Sequence, residues 1–360
     1  MRVLIAPDSF GGTLTAREAA RAIAAGWRAT RPDDEVALAP LSDGGEGLLE
    51  TVVTDADRRH ELEVAGPQGH PVRASFLVRD DGTALIEAAL ADGLALVPPD
   101  RRTPARATSY GVGQLLAAAV TTGCRRVAIG LGGSASVDGG TGALLGLGFR
   151  LTVADGSGLK IGGADLHRLA AVDRGWAPEL TGVEIELLAD VTATLDEAAP
   201  VFGPQKGADA RQIEELTAAL RHVASVMERD LGADPGLRDV PGAGAAGGLG
   251  YGLMAAAGAR LVPGAARLRE LTGVHERLPG VDLVVTGEGR LDATSGQGKV
   301  IGGLLEEAAA AGVDVAAVVG SLREPLPGLT IVEESAPDGP GEDPAAEVRA
   351  AAARLAATFG

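Results

Sequence analysis

The sequence predicts an α/β protein with two domains, one of which is built from both ends of the chain. Its 360 residues exceed what one hydrophobic core usually spans, and 46% of them are apolar, enough to fill more than one core. Strands and helices alternate at both ends, as in a parallel sheet with crossover helices, whereas the middle has hairpin strands. We therefore expect a discontinuous domain of residues 1–66 and 275–360 and a second domain of residues 67–274 with a mixed sheet.

The first 54 residues predict a βαβα opening. Residues 3–6 and 36–40 are short apolar runs, which are typical of buried strands. Thr15 stands where a helix N-cap is expected before the apolar periodicity of residues 16–29, and a second helix is expected from about residue 45 to 54.

From residue 62 the pattern changes to short alternating runs separated by Gly-Pro-Gln-Gly and Asp-Asp-Gly turns, which predict antiparallel strands. The same periodicity rules assign the remaining elements. The predicted strands are 62–64, 72–78, 84–87, 127–130, 184–188, 283–285, 315–319 and 330–332, and the predicted helices are 112–122, 141–147, 209–231, 250–259, 300–311 and 344–358.

Charge and cysteine content exclude several classes of protein. The chain has 32 basic and 49 acidic residues, a net charge of -17, which repels nucleic acid and anionic membranes. Cys124 is the single cysteine, so neither an intrachain disulfide nor a cysteine-rich zinc site is possible. Asp8 interrupts the apolar N-terminus too early for a secretory signal, and residues 240–259 are too rich in glycine to predict a membrane span. We expect a cytoplasmic protein.

Five loops that follow apolar runs combine glycine with acidic side chains, at residues 6–13, 41–47, 130–138, 188–192 and 285–292. Exposed backbone N–H groups hold phosphate oxygens, and one or two carboxylates hold a hard cation. In open α/β sheets, ligands bind beyond the carboxyl ends of the strands. Each loop alone is consistent with an ordinary turn, but the five together predict a phosphate-bearing ligand with Mg²⁺.

Three further segments carry candidate phosphate contacts. Gly242, Gly244 and Gly247 match the spacing G-x-G-x-x-G, but no strand precedes them, so the pattern favours a phosphate-binding turn over a dinucleotide fingerprint. Of the three lysines, Lys206 lies in a rigid turn and Lys299 at a predicted helix start, where an ammonium group could neutralise phosphate. Lys160 lies in a polar turn and is interpreted as a surface residue.

The order of these motifs resembles that of the type 1 glycerate kinase family, from residue 1 to about residue 320. The motifs are Ala6-Pro7-Asp8-Ser9-Phe10, Asp43-Gly44-Gly45-Glu46-Gly47, Gly132-Gly133-Ser134-Ala135, residues 202–207, residues 241–248 and Thr286-Gly287-Glu288-Gly289-Arg290. The resemblance implies ATP-dependent phosphorylation of D-glycerate, usually to 2-phosphoglycerate, with Mg²⁺. It also implies a Rossmann-like domain with a mostly parallel sheet and a restriction-enzyme-like domain with a mixed sheet, with the active-site cleft between them.

Three departures from the family pattern keep alternatives open. Gly11 stands where the family usually has lysine, Val137 stands where asparagine is usual, and residues 192–200 replace an Asn-Pro-Leu type turn and a longer glycine-rich loop. The alternatives are a kinase for another small hydroxy acid, or a catalytically weakened sensor that binds a nucleotide or metabolite.

Phosphoryl transfer requires positioning and charge neutralisation, and roles are assigned on that basis. We expect Asp43 and Glu46 to bind Mg²⁺, Lys206 to stabilise transition-state charge, and Asp190 to orient and deprotonate the attacking hydroxyl group. The expected substrate-binding residues are Asp8, Ser9, Arg290 and Asp292, with Arg290 holding the carboxylate. The expected nucleotide contacts are Gly132, Gly133, Ser134, Gly242, Gly244, Gly247 and Lys299. The partners are thus ATP and a small hydroxy acid.

Overall fold

The structure is a computed structural model, and it describes residues 1–296, 300–337 and 339–359. Its strands are β1 Arg2–Ile5, β2 Glu35–Leu38, β3 Arg58–Ala65, β4 Pro71–Val78, β5 Thr83–Glu87, β6 Arg126–Gly130, β7 Arg150–Val153, β8 Leu169–Asp173, β9 Glu184–Leu188, β10 Arg260–Val262, β11 Leu283–Leu291, β12 Asp314–Leu322 and β13 Leu329–Glu334. Its helices are α1 Ala16–Thr30, α2 Leu48–Val52, α3 Ala89–Asp92, α4 Tyr110–Thr121, α5 Thr141–Leu147, α6 Ala198–Phe202, α7 Ala210–Leu231, α8 Ala245–Ala257, α9 Gly264–Leu271, α10 Val274–Arg277, α11 Val300–Ala311 and α12 Pro344–Ala357.

The chain divides into two compact units. Unit 1 contains Met1–Asp43, Glu50–Val52 and the chain from Gly264 onward, and unit 2 contains Gly44–Leu49 and Val53–Pro263. The domain limits expected from the sequence, near residues 66 and 275, stay a prediction.

Unit 1 has a five-stranded parallel sheet in the order β13-β12-β11-β1-β2. One core joins the sheet to α1 and α12, and a second joins it to α11 and α9. Thr15 and Glu18 form a capping box that begins α1, as the sequence predicts for that boundary. Gly26 lets α1 and α12 approach closely, because a Cβ there would lie 2.1 Å from the carbonyl oxygen of Arg349.

β11 is longer than the apolar run at residues 283–285 predicts. It continues to Leu291 and pairs with β12 along its length, so the Thr-Gly-Glu-Gly-Arg segment is strand and not loop. Glycine permits the close approach: a Cβ at Gly287 would lie 2.2 Å from the carbonyl oxygen of Val318. The glycine and charged residues of this segment did not indicate a strand, although the packing of its backbone against β12 stabilises one.

Unit 2 has a six-stranded mixed sheet in the order β10-β9-β6-β5-β4-β3. The β3–β4 and β4–β5 pairs are antiparallel, and the remaining pairs are parallel. One large core contains side chains of α4, α5, α7 and α8 together with those of the sheet. The backbones of α4 and α5 are in close contact at Gly113, where a Cβ would lie 1.9 Å from the carbonyl oxygen of Ala143.

The predicted fold class is confirmed: an α/β protein with one parallel and one mixed sheet. The antiparallel pair β7 and β8, the short β10 and the helices α3, α6, α9 and α10 were not predicted. These elements are short and have weak periodicity, so tertiary packing decides them. Within the described residues, no helix combines the length and the apolar character that crossing a membrane requires.

Candidate active site

Unit 1 gathers three carboxylates at the carboxyl end of its parallel sheet. Asp8 follows β1, Asp43 follows β2, and Glu288 lies in the last half of β11. Since these strands are parallel neighbours, their carboxyl ends lie at one edge of the sheet. The three residues line a pocket of about 530 Å³, which we call the acidic pocket.

Asp8 has a strongly perturbed carboxyl group. Its pKa is raised to about 7, first by burial and further by the negative charges of Asp43 and Glu288. The backbone N–H of Ser9, which donates to Oδ1 over 2.6 Å, opposes this shift. A carboxyl group that titrates near neutrality can exchange a proton with a bound hydroxyl group.

Arg290 and Asp292 line the same pocket and contact each other. Arg290 Nε lies 3.4 Å from Asp292 Oδ2, and the side chain of Arg290 is exposed. Asp292 Oδ1 accepts hydrogen bonds from the backbone N–H and the hydroxyl of Thr294, over 2.9 and 2.6 Å. The structure therefore brings the four predicted substrate residues, Asp8, Ser9, Arg290 and Asp292, to one pocket. Their role stays a prediction.

Lys206 lies in the interior of unit 2. It ends the turn Pro204–Lys206, which Gly207 terminates in the left-handed conformation with φ +90°. The residue is only 2% exposed, and its Nζ donates hydrogen bonds to Oγ of Ser134 over 2.8 Å and to the carbonyl of Ser136 over 2.7 Å. Burying an ammonium group is costly unless it is well bonded, so these bonds hold Lys206 against the loop that follows β6.

Two buried carboxylates accompany Lys206. Asp92 accepts hydrogen bonds from the backbone N–H of Ser136 over 3.1 Å and from its hydroxyl over 2.5 Å. Burial raises the pKa of Asp92 and the pKa of Asp138. Burial lowers the pKa of Lys206, and the charges of Asp92 and Asp138 oppose this lowering. We call Lys206, Asp92 and Asp138 the buried charge cluster.

Asp138 also anchors the glycine-rich segment that leads into α5. It accepts hydrogen bonds from the backbone N–H and hydroxyl of Ser109 and from the backbone N–H groups of Gly140 and Gly142. The sequence indicated no individual role for Asp92 or Ser136, and Asp138 is the acidic residue of the loop at 130–138 that was predicted to contribute to a ligand site. An acidic residue inside the apolar run 84–97 was the available signal for Asp92, since a buried carboxylate needs partners.

Gly132 and Gly133 allow the loop after β6 to lie against the start of unit 2. A Cβ at Gly132 would lie 2.4 Å from the Cα of Gly45, and Gly133 has φ +73°. Glu46 is close to Gly133, at 3.7 Å from the position of a Cβ there. The two predicted metal ligands fall in different units, since Asp43 belongs to unit 1 and Glu46 to unit 2.

Glu87, which sequence analysis did not single out, positions this first segment of unit 2. It lies at the end of β5, is 3% exposed, and accepts hydrogen bonds from the backbone N–H groups of Gly47 over 2.8 Å and Leu49 over 3.1 Å. A carboxylate that accepts the free N–H groups at the start of a helix is favourable.

Asp190 lies at the same edge of the mixed sheet as the loop after β6. β9 and β6 are parallel neighbours, with Gly130 opposite Leu188, and Asp190 follows β9 as a half-buried residue. The structure thus places Asp190 and the Gly132–Ser134 segment beyond adjacent strand ends of unit 2. Catalysis by Asp190 stays a prediction.

The turn with Gly242, Gly244 and Gly247 is buried and packs through its backbone. The N–H groups of Gly242 and Gly244 donate to the carbonyl of Ala193 over 3.2 and 2.9 Å. A Cβ at Gly247 would lie 2.1 Å from the carbonyl oxygen of Ser136. Gly247 thus brings the turn against the loop after β6, whereas Gly242 and Gly244 bring it against the segment after β9. The contact of these glycines with phosphate stays a prediction. Lys299, the other predicted phosphate contact, lies outside the described residues.

The chain matches the family model described as the glycerate kinase family over residues 3–335. A protein of Halalkalibacterium halodurans named glycerate kinase is 41% identical over 328 residues, covering 89% of this chain and 86% of the relative. The chain belongs to the glycerate kinase family. A protein of Escherichia coli K12 named glycerate 2-kinase is 41% identical over 331 residues, covering 90% of this chain and 86% of the relative.

The fold of this glycerate kinase family member also matches a solved structure. A crystal structure described as glycerate kinase 2 of Salmonella typhimurium LT2 has a TM-score of 0.87 and 39% identity, and the match covers 100% of this chain and 98% of that one. The family therefore extends over both units.

Two departures from the family pattern have different structural settings. Gly11 lines the acidic pocket and is exposed, and no atom lies within 4 Å of a Cβ built on it, so the position has room for a long side chain. Val137 is fully buried in the core of unit 2, where a polar amide would need hydrogen-bond partners.

The acidic pocket has the donor chemistry that Mg²⁺ prefers. The ion is usually held by one or two carboxylates, with phosphate oxygens and water completing its coordination. Asp43 provides such a carboxylate. In the part of the chain that the structure describes, no group of three or more His, Cys, Asp or Glu side chains is arranged to hold a metal ion. The carboxylate of Asp43 has the chemistry of one ligand of a Mg²⁺ ion that phosphate oxygens also coordinate.

Proposed function

We propose that this chain transfers the γ-phosphoryl group of ATP to D-glycerate and produces 2-phosphoglycerate. Family membership and the relative named glycerate 2-kinase support the reaction class and the acceptor. The observation that carries the proposal is the buried charge cluster, in which Lys206 is bonded to Ser134 of a glycine-rich loop. A buried cation beside the backbone N–H groups of a glycine-rich loop is suited to the charge that develops on a transferred phosphoryl group.

In the proposed reaction, the C2 hydroxyl oxygen of glycerate forms a bond to the γ-phosphorus, and the bond from that phosphorus to the β–γ bridging oxygen breaks. The proton of the hydroxyl group passes to a carboxylate, for which Asp190 is the proposed acceptor. ADP leaves with the electron pair of the broken bond. Lys206 and the segment Gly132–Ser134 hold the phosphoryl oxygens during transfer.

Magnesium, when bound, supplies positive charge that offsets the charge of the nucleotide phosphates. Asp43 and Glu46 are the carboxylates proposed to hold it. The acidic pocket, with Asp8 and Ser9, is proposed to contact hydroxyl groups of the acceptor.

The proposal is tested with the purified chain, ATP, Mg²⁺ and D-glycerate. Phosphorus NMR of the products distinguishes 2-phosphoglycerate from 3-phosphoglycerate, and reactions without glycerate or with L-glycerate are the controls. We expect ADP and 2-phosphoglycerate to form in equal amounts. ATP consumption that does not depend on glycerate, or formation of 3-phosphoglycerate alone, would contradict the proposal.

A second candidate function is phosphorylation of a different small hydroxy acid. It is favoured by Gly11, which leaves open space in the acidic pocket where the family pattern has lysine. A panel of hydroxy acids assayed under the same conditions decides between the two candidates. The second candidate gains support when another acid has a kcat/KM above that of D-glycerate.

A further inference from the structure

Unit 2 contains a second pocket whose charged side chains are all basic. It has a volume of about 380 Å³, and its polar lining includes Gln68, His70, Arg101, Arg102, Arg106 and Lys206. No aspartate or glutamate of the described residues lines it. We call it the basic pocket. Asp92 and Asp138 accompany Lys206 in the buried charge cluster, but no carboxylate lies beside the three arginines among the described lining residues. In a chain with a net charge of -17, this group of guanidinium side chains requires an explanation.

The side chains of the three arginines of the basic pocket lack charged partners within the part of the chain that the structure describes. Among the residues that the structure describes, none of them forms an ion pair. Arg102 is half-buried, and its Nε is buried without a hydrogen-bond partner in the same set of residues. A buried donor without a partner is uncommon in folded proteins, because its lost hydration is not compensated. A ligand oxygen would compensate it.

The basic pocket reaches the proposed reaction site through Lys206. The lysine lines the pocket and also donates hydrogen bonds to Ser134 and Ser136. Ala135, which lies between these two serines, lines the pocket as well. A molecule in the basic pocket would therefore lie beside the loop that is proposed to hold the phosphoryl group.

We propose that the basic pocket binds the carboxylate of the hydroxy acid that accepts the phosphoryl group. This inference rests on the proposed function. Arg102 and Arg106 are the proposed contacts, because a guanidinium group donates two parallel hydrogen bonds to one carboxylate.

The absence of acidic lining favours a carboxylate over the nucleotide phosphates. Nucleotide triphosphates bind together with a divalent cation, which calls for carboxylate ligands nearby. The described lining of the basic pocket has none, so it suits an anion that carries no metal ion. The acidic pocket has the opposite character, because Asp8, Asp43 and Glu288 would repel a carboxylate there.

The proposal competes with the assignment made from sequence, in which Arg290 holds the carboxylate. Arg290 already faces Asp292 at 3.4 Å and lines the acidic pocket. Arg102 and Arg106 have no such partner among the described residues. Direct comparison of variants in the two pockets separates the two assignments.

The test measures binding of D-glycerate by calorimetry, with and without a non-hydrolysable ATP analogue and Mg²⁺, and binding of the analogue alone. In Arg102→Leu and Arg106→Leu we expect the Kd for D-glycerate to rise roughly tenfold or more, and the Kd for the analogue to change less than about twofold. Arg102→Lys, which keeps the charge and loses the planar fork, should lie between wild type and Arg102→Leu. Arg106 is exposed, so its variant tests the proposal even if Arg102→Leu does not fold.

Arg125→Leu is the matched control, because Arg125 is an exposed arginine of unit 2 outside the pocket. It should bind D-glycerate like wild type. The proposal is overturned if Arg290→Leu weakens glycerate binding while the Arg102 and Arg106 variants do not, or if those two variants weaken the nucleotide analogue instead. It is also overturned if wild type binds no D-glycerate under either condition. Arginine-dependent binding without turnover would leave this inference standing and refute the proposed function.

Discussion

Nζ of Lys206 donates a 2.8 Å hydrogen bond to Oγ of Ser134, across 72 positions of sequence. The bond joins the turn after α6 to the loop after β6 inside unit 2. Both residues stand out in the sequence for separate reasons, one as a rare lysine and the other as part of a glycine-rich loop. Because of this contact, we expect the two residues to act together on the transferred phosphoryl group. The first prediction depends on that contact.

Replacing Lys206 by methionine should abolish most activity. Removal of a cation that stabilises transition-state charge costs about 10²- to 10³-fold in turnover, so we expect kcat to fall at least about 100-fold. Steady-state kinetics with D-glycerate and ATP measure the effect, and circular dichroism checks folding. Lys160→Met, which changes an exposed lysine of the same unit, is the control and should keep wild-type kcat.

Lys206→Met also leaves Asp92 and Asp138 buried without their cation, so the variant could lose stability for that reason. Ser134→Ala is the milder companion variant, because it keeps the charge and removes one hydrogen bond to Nζ. A loss of about 10-fold in kcat is expected there. Full activity in a folded Lys206→Met protein would refute the role of the lysine.

Asp190→Asn should lower kcat at least about 100-fold, because an amide cannot accept the proton of the attacking hydroxyl group. The substitution keeps the size of a half-buried side chain at the end of β9, so folding should be preserved. Asp196→Asn, in the next turn of the chain, changes a carboxylate that pairs with Arg221 at the surface and serves as control. Equal turnover of Asp190→Asn and wild type would show that another group takes the proton.

Gly11→Lys should increase activity toward D-glycerate. The position is exposed and lines the acidic pocket, and a Cβ there meets no atom within 4 Å. A new hydrogen bond from the charged ammonium group to a hydroxyl group of the acceptor is worth about 1.5 to 3 kcal/mol, so we expect kcat/KM to rise roughly 10-fold or more. Gly11→Gln has similar length without charge and should not reproduce the gain. An unchanged or lower kcat/KM in a folded Gly11→Lys protein would contradict the prediction.

Asp34→Asn should destabilise unit 1 above pH 4. Oδ2 of Asp34 accepts hydrogen bonds from Arg31 over 2.6 Å and Trp27 over 3.0 Å, and Oδ1 accepts one from the N-terminal amine of Met1 over 2.7 Å. The hydrogen bond from Arg31 holds the pKa of Asp34 well below its usual range. A loss of about 2 kcal/mol in the free energy of unfolding is expected at pH 7.

The pH dependence follows from the direction of that shift. A carboxylate with a lowered pKa stabilises the folded state above its unfolded pKa of about 3.9, and this contribution disappears as the pH falls through the lower folded value. The stability difference between wild type and Asp34→Asn should therefore be complete at neutral pH and shrink below about pH 4. Urea unfolding at a series of pH values measures it, and a difference that grows on acidification would contradict the assignment.

Local patterns predicted the regular elements well where periodicity was strong. The helix 300–311 and the strand 184–188 have the predicted limits, and α1 begins at the predicted cap, Thr15. The pattern failed in β11, where glycine and charged residues form strand because β12 lies against their backbone. The pattern also failed to indicate the buried position of Asp92. Its hydrogen-bond partner, Ser136, is distant in the sequence and meets it only in the folded chain.

The sequence by itself determined the fold class, the family resemblance and the loops in which chemistry was expected, because these depend on local periodicity and on motifs read in order. Only the tertiary structure decided which side chains meet. Asp8 acquires its raised pKa first from burial and further from Asp43 and Glu288, which lie on two other segments. Arg102 and Arg106 line the basic pocket together with Lys206, which lies in a distant segment of the chain. Burial and proximity between distant segments create these properties, and neither is encoded in the neighbours of a residue along the chain.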